Sequence, residues 1–188
     1  MDTLSIVLAY INNEHPDVHI GRTLLQKKIY FLNELIQGPI RYIPYFYGPY
    51  SFEVAQTVGN LVSSGIIEEK MESFPTNETP WGESTRYTYS VNDKNISVIN
   101  EFILQTISEE DYNNLKKMLS LINLKNESKE YKALSIAAKV YQILKNKGRL
   151  NISGFPAEAK KLKWELNDSD VKKAVQFLKE IELLSIKA

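Results

Sequence analysis

The stretch YIPYFYGPYS, residues 42–51, decides how the N-terminal part of this chain folds. It contains four tyrosines, one phenylalanine and two prolines in ten residues. Gly48 and Pro49 are residues that favour tight turns, and Ser51 is a residue type that often begins a helix. The pattern therefore predicts a rigid corner between two helices, with aromatic faces packed on those helices.

Two other interpretations of this stretch concern function. Aromatic side chains with a polar end are frequent at protein interfaces, so the stretch also suits a partner-binding patch. A catalytic tyrosine is less favoured, because a hydroxyl of pKa ~10 needs a cation or metal to activate it. The only cation close in sequence is Arg41. The candidate partner-binding residues are Tyr42, Tyr45, Tyr47, Tyr50 and Trp81.

The segments on either side of the corner have helical periodicity. RTLLQKKIYFLNELIQ, residues 22–37, repeats apolar residues at helical spacing, and the predicted buried side includes Lys28. FEVAQTVGNLVSSG, residues 52–65, has the same periodicity and ends at a glycine suited to a helix C-terminus. A shorter apolar helix is predicted around residues 4–11, before Pro16.

The pattern beyond Gly65 changes to that of strands. Residues 66–74 and 85–91 flank a polar segment rich in turn formers, which predicts a β-hairpin with Trp81 in its tip. Three helices followed by a hairpin is the order of a winged helix-turn-helix. A fourth helix is predicted at about residues 93–106.

The second half of the chain is predicted to be helical. Ser108 begins one helix, residues 125–130 are a polar linker, and a long helix ends at Gly148. A short helix with Pro156 near its start and a final helix after Asn167 complete a possible second helix-turn-helix, with a stub strand in the terminal apolar run. The predicted fold is thus mainly α with a small β-hairpin, divided into a winged-helix domain, 1–107, and a basic helical domain, 108–188.

The residue inventory argues against an enzyme. The chain has 188 residues and no cysteine, which excludes disulfides and thiolate chemistry. Its two histidines, His15 and His19, are separated by Pro16, which breaks a helix that could place both on one face. The sequence pattern indicates no further zinc ligands to join them. There is no phosphate-binding glycine loop and no nucleophile elbow, so we expect no catalytic, cofactor-binding or metal-binding residues.

Two features of the chain bear on its location. The N-terminus does not have the pattern of a signal peptide, and no apolar run approaches the ~18 residues that a membrane span needs. A cytoplasmic protein without a membrane partner is therefore expected. The sequence leaves the oligomeric state open, a homodimer included.

Two segments resemble a known family. GRTLLQKKIYFLNEL followed by FYGPYSFEVAQTVGNLVSSGIIEE is similar to the uncharacterised YwgA-like family of bacteria and archaea, and more distantly to the SocA-like Panacea domain of proteolytic adaptors and antitoxins. The resemblance covers roughly residues 20–70. It implies a winged-helix-like fold and no established catalytic residues. The matched positions are Leu25, Gln26, Lys27, Tyr30, Tyr47, Gly48, Pro49, Tyr50 and Ser51.

The first functional hypothesis is a DNA-binding or regulatory factor. The predicted outer face of the third helix has one acid, Glu53, and no cation, so this unit would bind a polyanion only with help from Arg22, Lys27 and Lys28. Residues 129–188 carry 13 basic and 7 acidic side chains, a net charge of +6. Duplex DNA is therefore expected on the C-terminal face formed by Lys160, Lys161, Lys163, Lys172, Lys173, Gln176 and Lys179.

The second hypothesis is a protein-interaction module without DNA binding: an antitoxin-like protein, an adaptor or a phage-defence accessory protein. It agrees with the SocA-like resemblance, the net charge of zero and the aromatic corner. Surface arrangement discriminates between the two hypotheses. A continuous lysine surface favours DNA, whereas an exposed apolar patch of tyrosines favours a protein partner.

Overall fold

The computed structural model describes residues 1–14, 20–75, 83–125 and 130–184. His15, His19 and Trp81 lie outside the described residues, as do the polar tip of the predicted wing and most of the predicted linker. The chain is mainly helical with a small antiparallel β component, as predicted.

The N-terminal elements alternate helices and strands. The helices are α1 (Thr3–Asn13), α2 (Arg22–Leu35) and α3 (Phe52–Ser63), and the strands are β1 (Ile20–Gly21), β2 (Ile43–Tyr45), β3 (Gly48–Tyr50), β4 (Ile67–Pro75) and β5 (Glu83–Val91).

A three-stranded sheet in the order β1-β5-β4 gives this part the topology of a winged helix-turn-helix. β4 and β5 pair antiparallel from Ile67↔Val91 to Pro75↔Glu83, and β1 joins the other side of β5 at Ile20↔Tyr89. The predicted wing is confirmed over these strands. β1 was not predicted, because two residues are too few to show an alternating pattern.

The corner between α2 and α3 contains a second, two-stranded sheet that was not predicted. β2 and β3 pair antiparallel from Ile43↔Tyr50 to Tyr45↔Gly48, with Phe46 and Tyr47 as the turn. We call residues 43–50 the aromatic hairpin. Two prolines in eight residues concealed these strands, because proline is normally evidence against a strand.

The predicted helix ends of α3 are confirmed. The Ser51 hydroxyl accepts a hydrogen bond from the Val54 N–H at 3.3 Å, which caps the N-terminus. At the other end Gly65 has a φ of +71°, which a residue without a Cβ adopts easily. The Ile66 N–H then donates to the Leu61 carbonyl at 2.9 Å, so the chain reverses directly into β4.

Within the described residues, five α-helices follow the wing. They are α4 (Ile96–Thr106), α5 (Glu109–Asn123), α6 (Tyr131–Lys147), α7 (Phe155–Lys161) and α8 (Asp168–Glu180). Ser108 and Asn167 cap α5 and α8 as predicted. Leu183 and Leu184 lie in a turn after α8, and the rest of the predicted stub strand is outside the described residues.

One hydrophobic core joins the helices on both sides of the predicted domain boundary. The rings of Phe31 in α2 and Phe177 in α8 meet edge to face with centroids 5.4 Å apart. Tyr30 in α2 likewise meets Tyr141 in α6 at 6.2 Å. The division at residue 107 stays a prediction, but α6 and α8 pack directly against the N-terminal helices.

Candidate interaction surfaces

The aromatic hairpin is fastened to α2 by two consecutive side chains. Gln26 is buried and makes a reciprocal pair with the Ser51 backbone: its amide donates to the Ser51 carbonyl at 3.0 Å, and its carbonyl accepts from the Ser51 N–H at 3.1 Å. The Lys27 amine donates to the Pro49 carbonyl at 2.6 Å. Both side chains come from α2 and are buried, so this helix holds the end of the hairpin and the start of α3.

The C-terminal helices hold the hairpin from its other side. The Trp164 indole N–H donates to the Tyr45 carbonyl at 2.6 Å. Gly48 has a φ of +101°, and a Cβ at this position would stand 3.2 Å from Lys139 Cγ and 3.3 Å from the Ser135 carbonyl in α6. Both backbone conformation and close approach therefore require a glycine here. The hairpin is seated on α2, α6 and the segment after α7.

The two prolines of the hairpin face each other in the register Pro44↔Pro49. In an antiparallel pair with a two-residue turn, the pairs on either side of this one exchange the ladder hydrogen bonds. A proline at this place removes no bond within the hairpin, but it removes the N–H that would point outward. The hairpin is thus poorly suited to extension by an added strand.

Five apolar side chains of the hairpin region are exposed to solvent. Their exposed fractions are 76% for Phe46, 61% for Tyr47, 60% for Phe52, 47% for Ile43 and 42% for Tyr45. We call these five residues the aromatic patch. The Tyr45 ring contacts the Phe46 ring at 4.7 Å and the Phe52 ring at 6.1 Å, so these three rings form one cluster within the patch. Exposed contiguous apolar surface of this kind marks interaction sites on monomeric proteins.

The predicted partner-binding tyrosines separate into two groups. Tyr45 and Tyr47 belong to the patch, and the half-buried Tyr50 supports it through a ring contact of 5.1 Å with Phe52. Tyr42 instead packs edge to face on Tyr30 at 4.9 Å. Its hydroxyl is buried with no hydrogen-bond partner among the described residues, and burial raises its pKa well above the usual value. Tyr42 therefore serves packing more than contact with a partner.

Sequence reasoning missed three members of the patch: Ile43, Phe46 and Phe52. Phe52 could have been found, because the helical period of α3 buries Val54, Val58 and Leu61 and leaves Phe52 on the outer side. Phe46 occupies the hairpin turn, where a side chain has no neighbouring strand to pack on. Its exposure follows from a hairpin that the prolines concealed.

The α3 side of the patch has an acid and no exposed cation. The exposed residues of α3 include Glu53, Gln56 and Asn60, whereas β4 exposes both acids and a cation, Glu68, Glu69 and Lys70. Glu53 accepts a hydrogen bond from the Thr3 hydroxyl. No cation is exposed on α3 in the described chain, as the sequence predicted.

The suggestion that Arg22, Lys27 and Lys28 could help this unit to bind DNA is wrong for the two lysines. Lys27 and Lys28 are only 2% and 7% exposed. Lys28 is paired with Glu14 at 2.9 Å, and Lys27 is occupied by the Pro49 carbonyl. Arg22 stacks on Tyr87 with its Cζ 3.8 Å from the ring centroid and pairs with Glu69 at 3.3 Å. The helical period placed Lys28 on the buried side, where it lies, but it did not reveal the burial of Lys27.

The predicted nucleic-acid-binding residues are all exposed. They are Lys160, Lys161 and Lys163 in and after α7, and Lys172, Lys173, Gln176 and Lys179 on α8. Acids lie among them: Lys161 pairs with Glu158 at 2.6 Å, and the Gln176 amide donates to Glu180 at 2.7 Å. Asp170 lines the same groove as Lys160 and a second groove with Lys173. The basic face is therefore interrupted by negative charge.

Trp164 links the two candidate surfaces. It lines an open groove with Lys160, Glu165 and Asp170, while its indole N–H bonds to the hairpin. The Lys139 amine lies 5.9 Å from the centroid of the Trp164 ring. The aromatic patch and the α7 lysines are thus neighbours, on a surface whose charges are mixed in sign.

Comparisons with known proteins add no family to this description. Neither a scan against protein-family models nor a search of curated proteins gives a match to this chain. Within the described residues, no group of three or more histidine, aspartate or glutamate side chains is placed to hold a metal ion. In the same part of the chain, no helix has both the length and the apolar character needed to cross a membrane.

Proposed function

We propose that this chain is a non-enzymatic protein-binding module that docks a partner protein on the aromatic patch. The observation that carries the proposal is the exposure of the five residues of the aromatic patch, in which the Tyr45 ring contacts the rings of Phe46 and Phe52. Burying such rings in a complementary pocket supplies most of the free energy of many protein interfaces. Roles as an adaptor, an antitoxin-like protein or a defence accessory protein all need such a surface.

Charge favours a protein over a nucleic acid as the occupant of this surface. Affinity for nucleic acids comes largely from neutralising phosphates, which lysine and arginine do. The exposed residues beside the patch on α3 are Glu53, Gln56 and Asn60, which include one acid and no cation. A partner with an apolar pocket and a neutral or basic rim is complementary to this arrangement.

The seating of the hairpin supports the same proposal. The backbone beneath the rings is fixed by Gln26, Lys27 and Trp164, through hydrogen bonds of 2.6–3.1 Å. A preordered surface loses less conformational entropy on binding than a disordered loop. The exposed rings are therefore presented in one arrangement, which favours a specific partner over nonspecific adhesion.

A photo-crosslinking experiment tests the proposal. Phe46 is replaced by a photoreactive phenylalanine analogue, and Leu104, which is 77% exposed on α4, is replaced in a matched control. Both proteins are irradiated in lysate of the native host, with and without nuclease treatment. We expect a discrete protein adduct at position 46 that survives nuclease and is absent at position 104. Equal adducts at both positions, or one that nuclease removes, would contradict the proposal.

Duplex DNA is the second candidate partner, and the exposed face of α8 favours it. Lys172, Gln176 and Lys179 follow one another at helical spacing on the solvent side of a helix in the recognition position. Lysine contacts to phosphates would give affinity without strong preference for sequence. The intervening acids Glu180 and Asp170 predict that this affinity is weak.

The DNA hypothesis has a direct salt test. Labelled duplex is titrated at ~50 mM salt and at physiological salt, where counterion release makes the contribution of lysine contacts visible. We expect weak binding that falls steeply with salt and is lost in the double variant Lys172→Glu/Lys173→Glu. Absence of binding at ~50 mM salt, or binding that the double variant retains, would remove DNA as a partner.

A further inference from the structure

The base of the aromatic hairpin contains a buried amine without a carboxylate partner. Lys27 is 2% exposed, and its Nζ donates to the Pro49 carbonyl at 2.6 Å. Among the residues that the structure describes, Lys27 forms no ion pair, in contrast to its neighbour Lys28, which pairs with Glu14. A buried ammonium ion without a counter-charge is strongly unfavourable.

The charged groups around this amine increase the penalty. The hairpin offers a carbonyl to Lys27, and α6 places Lys139 beside it. Glu165, after α7, acts electrostatically on Lys139. Burial first, and the charge of Lys139 second, lower the pKa of Lys27 to about 7. A lysine in water has a pKa of ~10.4.

We propose that Lys27 is a protonation-sensitive fastening of the aromatic hairpin, seating it firmly as the neutral amine and loosening it as the ammonium ion. Lys27 is buried and bonded to the hairpin, so lifting the hairpin frees the amine to contact water. Protonation therefore favours the lifted state, in which the ammonium ion is hydrated. If the aromatic patch binds a partner, as proposed above, protonation of Lys27 would control the position of the patch. This consequence rests on the proposed function.

The direction and pH range follow from linkage. The seated state has the lower pKa and the lifted state has the ordinary one, so the lifted state binds more protons between pH ~7 and ~10.4. The equilibrium constant for seating therefore increases as pH rises through this window, by up to tenfold per pH unit. Below pH ~7 both states are protonated and the dependence disappears. Cellular pH lies at the lower end of the window, where the dependence begins.

The Trp164 indole N–H provides a reporter that needs no partner. It donates to the Tyr45 carbonyl only while the hairpin is seated. The chain has two tryptophans, so the indole signals are assigned in nitrogen-15 spectra with a Trp81→Phe variant. The measurement is the protection of the Trp164 indole proton against solvent exchange, corrected for intrinsic rates, from pH 6 to 10.

We expect protection in the wild-type chain to be level below pH ~7 and to rise by up to tenfold per pH unit above it. Lys27→Met, which keeps the length of the side chain without a titratable group, should remove the rise, and the exposed control Lys172→Met should retain it. A level profile in the wild-type chain, or an unchanged rise in Lys27→Met, would overturn the proposal.

A second measurement keeps the proposal falsifiable if Lys27→Met fails to fold. The Lys27 Cε resonance of the wild-type chain is titrated directly by carbon-13 NMR. A midpoint close to 7 supports the fastening, and a midpoint close to the ordinary ~10.4 contradicts it. Neither measurement involves a partner protein, so failure here leaves crosslinking at Phe46 unaffected, and failed crosslinking leaves the titration unaffected.

Discussion

Gly48 is the residue on which the geometry of the aromatic hairpin depends most directly. Its φ of +101° is a conformation that residues with a Cβ rarely adopt, and its Cα faces Lys139 and the Ser135 carbonyl at close range. Sequence reasoning assigned Gly48 to a turn for its conformational freedom. The contact with α6, which lies almost ninety residues later in the chain, could not be read from a local pattern.

A glycine pair tests this role. Gly48→Ala combines an unfavourable φ with contacts of 3.2 and 3.3 Å, so we expect it to lower the free energy of unfolding by about 1–3 kcal/mol. Gly59→Ala is the matched control, because a Cβ there meets no atom within 4 Å and lies in helix α3. The control should stabilise the chain by about 0.5–1 kcal/mol. Urea unfolding of the two variants measures the difference, and equal effects would contradict the account.

At the scale of elements, the buried amide of Gln26 joins α2 to the end of the hairpin and the start of α3. Its two hydrogen bonds satisfy both the N–H and the carbonyl of Ser51, the residue that caps α3. A side chain that satisfies buried backbone groups is costly to remove, because the groups are then left without partners. The relative position of two helices thus depends on one amide.

Truncation of this amide gives a prediction with a matched control. Gln26→Ala should destabilise the chain by roughly 1–3 kcal/mol, because it leaves the buried Ser51 N–H unpaired. The Ser51 carbonyl loses one of its two donors and keeps the Ala55 N–H at 3.2 Å. Gln56→Ala removes the same side chain from the exposed face of α3, where we expect a change within about 0.5 kcal/mol. Thermal or denaturant unfolding compares the two variants. A cost at position 26 no larger than that at position 56 would show that the amide pair does not hold the corner.

The sequence predicted elements well where they are long and periodic. The helices, the caps at Ser51 and Ser108 and the paired strands of the wing are confirmed, because each depends on local spacing and capping. The short strands β1, β2 and β3 were missed, since they contain two or three residues each. Lys27 was placed on a DNA-facing surface, because its burial depends on a hairpin and a helix that are distant in the sequence.

The partner-binding residues expected from the sequence stay a prediction. Among them Tyr45 and Tyr47 are exposed, whereas Tyr42 packs on Tyr30. Which aromatic side chain of the stretch faces solvent depends on the residues that pack beneath the hairpin. Those residues belong to α6 and to the segment of Trp164, so tertiary contacts rather than local composition decide which rings are exposed.

At the scale of the whole molecule, the C-terminal helices support the aromatic patch and also carry the basic face. α6 and the Trp164 segment contact the hairpin, while α8 packs its Phe177 against Phe31 of α2. This packing favours one body with two adjacent surfaces over two separate functional units. A protein on the patch would lie next to the lysines of α7, whose mixed charges suit the rim of an interface.

The affinity of the crosslinked partner for a patch variant tests the central claim most directly. The purified partner is titrated into wild-type chain, into Phe46→Ser/Phe52→Ser and into a control, Leu104→Ser/Leu124→Ser, whose leucines are each 77% exposed. We predict at least a tenfold weaker Kd for the patch variant, since truncated anchor residues commonly cost more than about 1.4 kcal/mol. The control should bind like wild type, with melting temperatures unchanged in both. Equal affinity of the patch variant and wild type, at equal melting temperature, would contradict the account.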